Sequence, residues 1–195
     1  MIIYATKLAY DRLHIKPSET LHYAADHIYP QLDYINSVKQ KEIWSEIFEW
    51  YAELFYFEKE KYLKTVHISS GFTLFFGSVD ESFMHGLGFR IKNELYRYFS
   101  DDADTVQLLD LLYADSFLNF YSRITDKKRL KAVMSESTSL NIKHPLFQSC
   151  ITDGKPCLDK LMKSFNEKKS CISEENITSA RQRFTEQLKH MYRKK

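Results

Sequence analysis

The sequence is poor in cysteine, glycine and proline, and each scarcity excludes a class of protein. Its 195 residues include 3 cysteines, 5 glycines and 4 prolines. An odd number of cysteines without a paired CxxC spacing fits neither a disulfide framework nor a zinc site, and it favours reduced thiols. So little glycine and proline excludes collagen-like and low-complexity chains. The 44% apolar fraction is sufficient for one folded domain.

Long apolar runs are also missing. The N-terminal segment is interrupted by Lys7 and Asp11, so it lacks the continuous apolar stretch of a signal peptide. Nowhere do about 18 apolar residues follow one another, so the sequence predicts no membrane span and a cytoplasmic location.

The sequence motifs of the common enzyme families are absent as well. There is no nucleophile elbow, phosphate-binding loop, dinucleotide fingerprint, HExxH helix or EF-hand loop. His22 and His27 are separated by five positions, about 140° around a helix, which disfavours joint metal binding. We therefore expect no metal and no cofactor, and we expect binding rather than catalysis.

One pattern is compatible with catalysis. Arg183 and His190 lie seven residues apart on one face of the last predicted helix. This spacing resembles that of helical ribonucleases, in which His acts as a general acid or base and Arg binds phosphate. Phe184 stands where those enzymes usually have a polar residue, and this departure weakens the match. A ribonuclease is therefore kept as an alternative only.

The hydrophobic pattern predicts a mostly helical α+β fold. A strand at Ile2 to Tyr4 is expected to precede a short helix capped by Thr6. Strand-forming runs between about residues 50 and 77, separated by a charged tip and a Ser-Ser-Gly turn, predict a three-stranded meander. The result is a small antiparallel sheet, made of the N-terminal strand and the meander, that helices cover.

Helical periodicity recurs along the rest of the chain. It predicts further helices at about 17–30, 80–99, 101–120, 127–138, 157–168 and 174–193. We interpret residues 1–195 as a single domain, in which 1–120 form an acidic α+β core and 121–195 a basic helical portion.

Charge is divided unequally along the chain. Residues 1–120 carry 11 basic and 18 acidic side chains, whereas residues 121–195 carry 17 basic and 8 acidic ones. A basic surface attracts a phosphate backbone or an acidic protein groove. The candidate binding residues are therefore the basic ones of this last part: Arg123, Lys127, Lys128, Arg129, Lys131, Lys160, Lys163, Arg181, Arg183, Lys189 and Arg193.

Two tyrosines in the basic part are candidates for stacking on a base. Tyr121 is close in sequence to Arg123, and Tyr192 directly precedes Arg193. An exposed ring beside basic groups contributes about 1–3 kcal/mol per stacked base. Packing in the core is the alternative for each ring.

The N-terminal part resembles a known family. Met1-Ile2-Ile3 with Thr6-Lys7, then Trp50-Tyr51-Ala52 with Leu54, then Thr73-Leu74 are similar to short uncharacterised bacterial proteins that open "MI..TKK" and continue with "WYA.L" and "TL". Leu8 replaces the second Lys. The resemblance covers about the first 100 residues, implies a small α+β domain, and assigns no catalytic residue.

These observations predict a non-catalytic binding protein. Its basic C-terminal helices are expected to engage RNA, or the nucleic-acid channel of a partner nuclease. In type it resembles small phage or mobile-element inhibitors of CRISPR nucleases. A structural homo-oligomer such as a homodimer, and mimicry of nucleic acid by the acidic N-terminal part, stay open as alternatives.

Overall fold

The computed structural model describes residues 1–15, 48–113, 120–123, 142–143, 145–173 and 176–192. For residues 120–123, 169–173 and 176–177 it describes only the course of the backbone. The predicted helices at 17–30 and 127–138 lie outside the described residues.

The described part contains strands and helices in alternating groups, which is an α+β arrangement as the sequence predicts. The strands are β1 (Ile2–Ala5), β2 (Glu49–Phe57), β3 (Glu60–His67), β4 (Thr73–Gly77), β5 (Phe120–Arg123), β6 (Ile151–Thr152), β7 (Lys155–Pro156), β8 (Lys169–Ser173) and β9 (Asn176–Ser179). The helices are α1 (Lys7–Arg12), α2 (Glu81–His85), α3 (Leu87–Tyr98), α4 (Ala103–Tyr113), α5 (Pro145–Gln148), α6 (Leu158–Glu167) and α7 (Ala180–Tyr192).

The main sheet has five strands in the order β4-β3-β2-β1-β5. The predicted meander is confirmed, since β2, β3 and β4 pair antiparallel. The expectation of an antiparallel sheet throughout is wrong, because β1 pairs in parallel with both β2 and β5. Parallel neighbours need a long crossover, and residues 6–48 supply it between β1 and β2.

Local signals set the ends of several elements. The Thr6 hydroxyl accepts a hydrogen bond from the Ala9 amide at 3.3 Å and caps α1, as predicted. The charged tip between β2 and β3 is a two-residue turn in which Glu58 and Lys59 have φ of 54° and 89°. Two successive positive φ values match the right-handed twist of a hairpin.

Three predicted helices differ from the observed ones. The helix expected over 80–99 is interrupted at Gly86, which separates α2 from α3. Glycine has the lowest helix propensity of all residues except proline. The helix expected to reach Phe120 is described from Ala103 to Tyr113, and Phe120 belongs to β5. The last helix begins at Ala180, because the β-branched residues before it form β9. The C-terminal portion therefore contains hairpins as well as helices.

An aromatic cluster joins α7 to the sheet and to α3. The Phe184 ring is fully buried and stacks on Phe72 and Phe99, with centroid distances of 4.9 and 5.8 Å. Its edge contact with the His67 ring, at 5.0 Å, brings it against β3. Burying a ring of this size and its stacking partners is among the largest single contributions to packing.

The edge of β4 is closed by a side chain of α6. Asn166 is fully buried, its carbonyl oxygen accepts from the Thr73 amide at 2.7 Å, and its amide donates to the Thr73 carbonyl at 2.8 Å. One side chain thus replaces a neighbouring strand at this position and satisfies both backbone groups.

Replacing Asn166 should therefore be costly. We expect Asn166→Ala to lower the free energy of unfolding by about 2–3 kcal/mol, because it leaves two buried backbone groups without their partner. Urea unfolding followed by circular dichroism measures this, with Lys163→Ala, an exposed position on the same helix, as the control. A loss no larger than that of Lys163→Ala would contradict the role given to Asn166.

Candidate functional site

The candidate site lies between α4 and α7, two helices that pack against each other. The Asp102 carboxylate caps α4 by accepting hydrogen bonds from the amide and the hydroxyl of Thr105, at 3.0 and 2.8 Å. These bonds, above all the one from the backbone amide, hold the pKa of Asp102 below its usual range, and the charges of Arg181 and Lys189 lower it further. Positive charge on α7 therefore faces the beginning of α4.

An open groove of about 270 Å³ lies along this helix pair. Each helix forms one wall, and the lining residues of each wall recur at intervals of three or four positions and so share one helix face. Four of them belong to α4 and two to α7. The lining residues are Asp104, Gln107, Leu108, Leu111, Lys189 and Tyr192. Leu111 is 46% and Tyr192 52% exposed, so the groove presents apolar and aromatic surface to a ligand as well as charge.

The predicted basic residues on α6 are exposed and stand apart from this groove. Lys160 donates to the Thr152 hydroxyl at 3.1 Å, which places its ammonium beside the hairpin formed by β6 and β7. Lys163 lies one turn further along α6 and is exposed. Neither lysine lines the groove.

Arg181 is bound within the molecule. Its guanidinium lies 3.4 Å from Asp101 and 3.9 Å from Glu167, and it is centred 5.4 Å from the middle of the Phe99 ring. The side chain is 30% exposed. Two carboxylates and an aromatic face account for its position, so it links α7 to α6 and to the turn before α4.

Arg183 is also engaged by the fold. Its guanidinium donates to the carbonyl of Ser70 at 2.9 Å and to that of Thr178 at 3.0 Å. His190, its partner in the predicted ribonuclease pattern, is exposed near the other end of α7. Arg183 therefore joins the turn before β4 to the end of β9.

The remaining predicted residues are not brought into the described site. Arg123 is in β5, where only the backbone is described, instead of in a helix. The other five lie outside the described residues: Lys127, Lys128, Arg129, Lys131 and Arg193. Of the predicted set, the structure thus places Lys189 in the groove, next to the stacking candidate Tyr192.

A second cluster of ionisable groups lies on the sheet. Lys64, in the middle of β3, is 1% exposed, and its ammonium is 3.9 Å from the carboxylate of Glu53, its cross-strand neighbour on β2. The ammonium also lies 5.5 Å from the centre of the Phe165 ring of α6. Burial lowers the pKa of Lys64 to about 8, and the charge of Glu53 opposes only part of this shift.

Sequence reasoning did not identify any of the four groove residues on α4, nor Lys64 on the sheet. A signal for Lys64 was present, since strand alternation places it on the same face as Tyr62 and Val66 and opposite Glu53. Leu111 could be found only after α7 was placed, because helical periodicity alone puts it on the surface of α4.

Among the described side chains, no three His, Cys, Asp or Glu residues are grouped so that they could hold a metal ion. Within the same part of the chain, no helix combines the length and the apolar character that a membrane crossing requires.

Fold and site together define a small α+β domain with a mixed sheet and an open groove between two helices. The chain belongs to the family described as Domain of unknown function (DUF6933), whose sequence profile matches residues 2–142. This confirms the resemblance to a family of uncharacterised proteins and extends it beyond the expected 100 residues. The match includes α4 but ends before α7, the other wall of the groove. A search of curated proteins finds no match.

The buried Lys64 gives a pH-dependent prediction. Below pH 8 this lysine is charged in both the folded and the unfolded chain, so folding bears the full cost of burying the charge. Between the folded pKa of about 8 and the unfolded value of 10.5, the folded state loses the proton first, and stability rises with pH. We expect Lys64→Met to raise the free energy of unfolding at pH 7 by about 1–3 kcal/mol, and the advantage to shrink above pH 8.

Urea unfolding at several values from pH 7 to pH 9.5 tests this expectation. The matched control is Lys163→Met, which replaces an exposed lysine. Its free energy of unfolding should change with pH in the same way as that of the unmodified protein. If the stability of Lys64→Met also changes with pH in the same way as that of the unmodified protein, Lys64 titrates outside this range.

Proposed function

We propose that the protein is a non-catalytic binding protein that holds a single-stranded RNA segment in the groove between α4 and α7. The observation that carries the proposal is the position of Tyr192, which is 52% exposed and lies one helical turn from Lys189 on the same wall. An exposed ring next to an ammonium is the arrangement with which proteins stack a base and contact its phosphate.

The opposite wall offers groups of a different kind. Gln107 can donate and accept hydrogen bonds, and the carboxylate of Asp104 accepts them. Exposed base edges of an unpaired strand carry both donors and acceptors, whereas a duplex presents mainly phosphate at its surface. A groove with one carboxylate and one ammonium therefore supports an unpaired strand better than a duplex.

The sequence adds charge at this end of α7. Arg193, Lys194 and Lys195 follow Tyr192 directly along the chain. Basic residues next to a stacking ring increase affinity for a strand at low salt, because each neutralised phosphate releases counterions.

A ribonuclease and an inhibitor of a CRISPR-type nuclease receive less support. For a ribonuclease, Arg183 would have to bind phosphate, but its guanidinium already donates to two backbone carbonyls. An inhibitor of a CRISPR-type nuclease would need a protein-binding surface, and the exposed side chain of Leu111 favours that second candidate. RNA binding and nuclease inhibition both predict contact at the groove. They differ in whether the purified protein retains RNA.

Binding of RNA alone tests the proposal. Fluorescence anisotropy with a labelled oligouridine of about 12 nucleotides should show binding at low salt, with log affinity falling by about 0.7 per contacted phosphate for each unit of log salt. We expect Tyr192→Ala to weaken binding about 5- to 150-fold through loss of one stacked base, and Tyr192→Phe to retain it. Lys189→Gln should reduce the salt slope by about 0.7.

The matched control is Phe89→Ala, which removes a ring of similar exposure (49%) on α3, away from the groove. Circular dichroism confirms that each variant is folded. Absence of binding by the unmodified protein would refute RNA as the ligand, and equal losses for Tyr192→Ala and Phe89→Ala would refute the groove as the site.

A further inference from the structure

Two of the three cysteines stand at the open end of the short hairpin of β6 and β7, one before β6 and the other after β7. The register pairs Ile151 with Pro156 and Thr152 with Lys155. One further step along the same register places Cys150 opposite Cys157. One backbone bond supports this step, since the Cys157 amide donates to the Cys150 carbonyl at 2.8 Å, while the Cys150 amide donates to the Phe147 carbonyl in the turn after α5.

The turn of this hairpin fixes the pair in place. Asp153 and Gly154 have φ of 51° and 73°, which is the two-residue turn that suits a tight hairpin. Pro156 occupies a position at which the ladder requires no amide hydrogen, so it stiffens the strand without breaking a bond. Cys157 is extended, with φ of −79° and ψ of 103°, and continues the strand into the start of α6.

The spacing of such a pair is compatible with a disulfide. Hydrogen-bonded residues in antiparallel strands have Cα atoms about 5.5 Å apart, inside the range of about 4.4–6.8 Å found for disulfides. Their Cβ atoms are usually about 4.5–5.5 Å apart, slightly wider than the common disulfide spacing of about 3.5–4.5 Å. Closing the bond requires a small local shift, and a bond closed in this way is easily reduced.

The two thiols differ in their surroundings. Cys150 is 2% exposed, and its sulfur lies 3.7 Å from the Ser164 hydroxyl on α6. Cys157 is partly exposed and precedes α6 as its N-cap residue, with no side-chain capping hydrogen bond. A dissolved oxidant therefore reaches Cys157 first, and Cys150 is the nearby thiol that can react with the product.

We propose that Cys150 and Cys157 form a reversible, peroxide-responsive dithiol site. The thiolate of Cys157 attacks one oxygen of hydrogen peroxide, the O–O bond breaks, and water leaves after protonation, giving a sulfenic acid. The thiolate of Cys150 then attacks this sulfur, an S–S bond forms, and a second water leaves. Two thiols are oxidised by two electrons and one peroxide is reduced to two waters.

The sequence makes the pairing easy to read by proteolysis. Cleavage before aspartate separates the three cysteines into peptides 126–152, 153–158 and 159–195, each with one cysteine. A Cys150–Cys157 disulfide joins the first peptide to the second, whereas a bond to Cys171 would involve the third.

The experiment treats the full-length folded protein with hydrogen peroxide, blocks the remaining thiols, and maps the peptides by mass spectrometry. Before blocking, we expect the intact protein to lose about 2 Da and dithiothreitol to restore the original mass. After blocking and cleavage, peptides 126–152 and 153–158 should be joined. Cys171→Ser should leave this result unchanged, and Cys157→Ser should abolish it.

Cys150→Ala provides a second variant that removes the buried partner, and thermal unfolding verifies that it is folded. In that variant Cys157 should stop at the sulfenic acid or its further oxidation products. Joining of the third peptide to either of the others, or direct oxidation of Cys157 without a disulfide in the unmodified protein, would overturn the proposal.

Discussion

The position of α7 depends on the burial of Phe184, and the groove depends on the position of α7. The ring packs against both Phe72 and Phe99, which also contact each other, and it meets His67 edge-on, so one side chain holds the last helix against the sheet and against α3. Arg183, the preceding residue, adds hydrogen bonds to the carbonyls of Ser70 and Thr178. A helix fixed at this point by both packing and hydrogen bonds carries its far end, with Lys189 and Tyr192, to one defined place beside α4.

Ion pairs within the molecule engage some of the basic charge of the last part of the chain. Arg181 lies against Asp101 and Glu167, and Lys155 lies 3.1 Å from Glu60. Folding thus brings acidic residues of the first part against basic residues of the last part. Exposed pairs of this kind add little stability, but they remove positive charge that a long phosphate backbone would need.

The sequence predicted elements wherever a local signal was sufficient. Thr6 predicted its cap, and the alternation of strand formers predicted the meander, because both depend on neighbours within a few residues. The parallel pairing of β1 could not be predicted, since it depends on a crossover of more than 40 residues between Ala5 and Glu49. The groove had the same difficulty. Tyr192 was identified from its basic neighbours, but Gln107 joins it only after two distant helices have packed.

Under the proposed function, the charge of the groove decides which nucleic acid it suits. A duplex is bound mainly through phosphates, and a site for it would present several cations and no carboxylate. Here Lys189 shares the groove with Asp104, and the aromatic ring of Tyr192 stands next to them. The carboxylate repels a phosphate but accepts hydrogen bonds from the amino groups of an unpaired base, and the ring gains energy only when a base leaves its own stack. Under the proposed function, both groups oppose a duplex and favour a single strand, so the mixed charge of the groove would be the source of its selectivity.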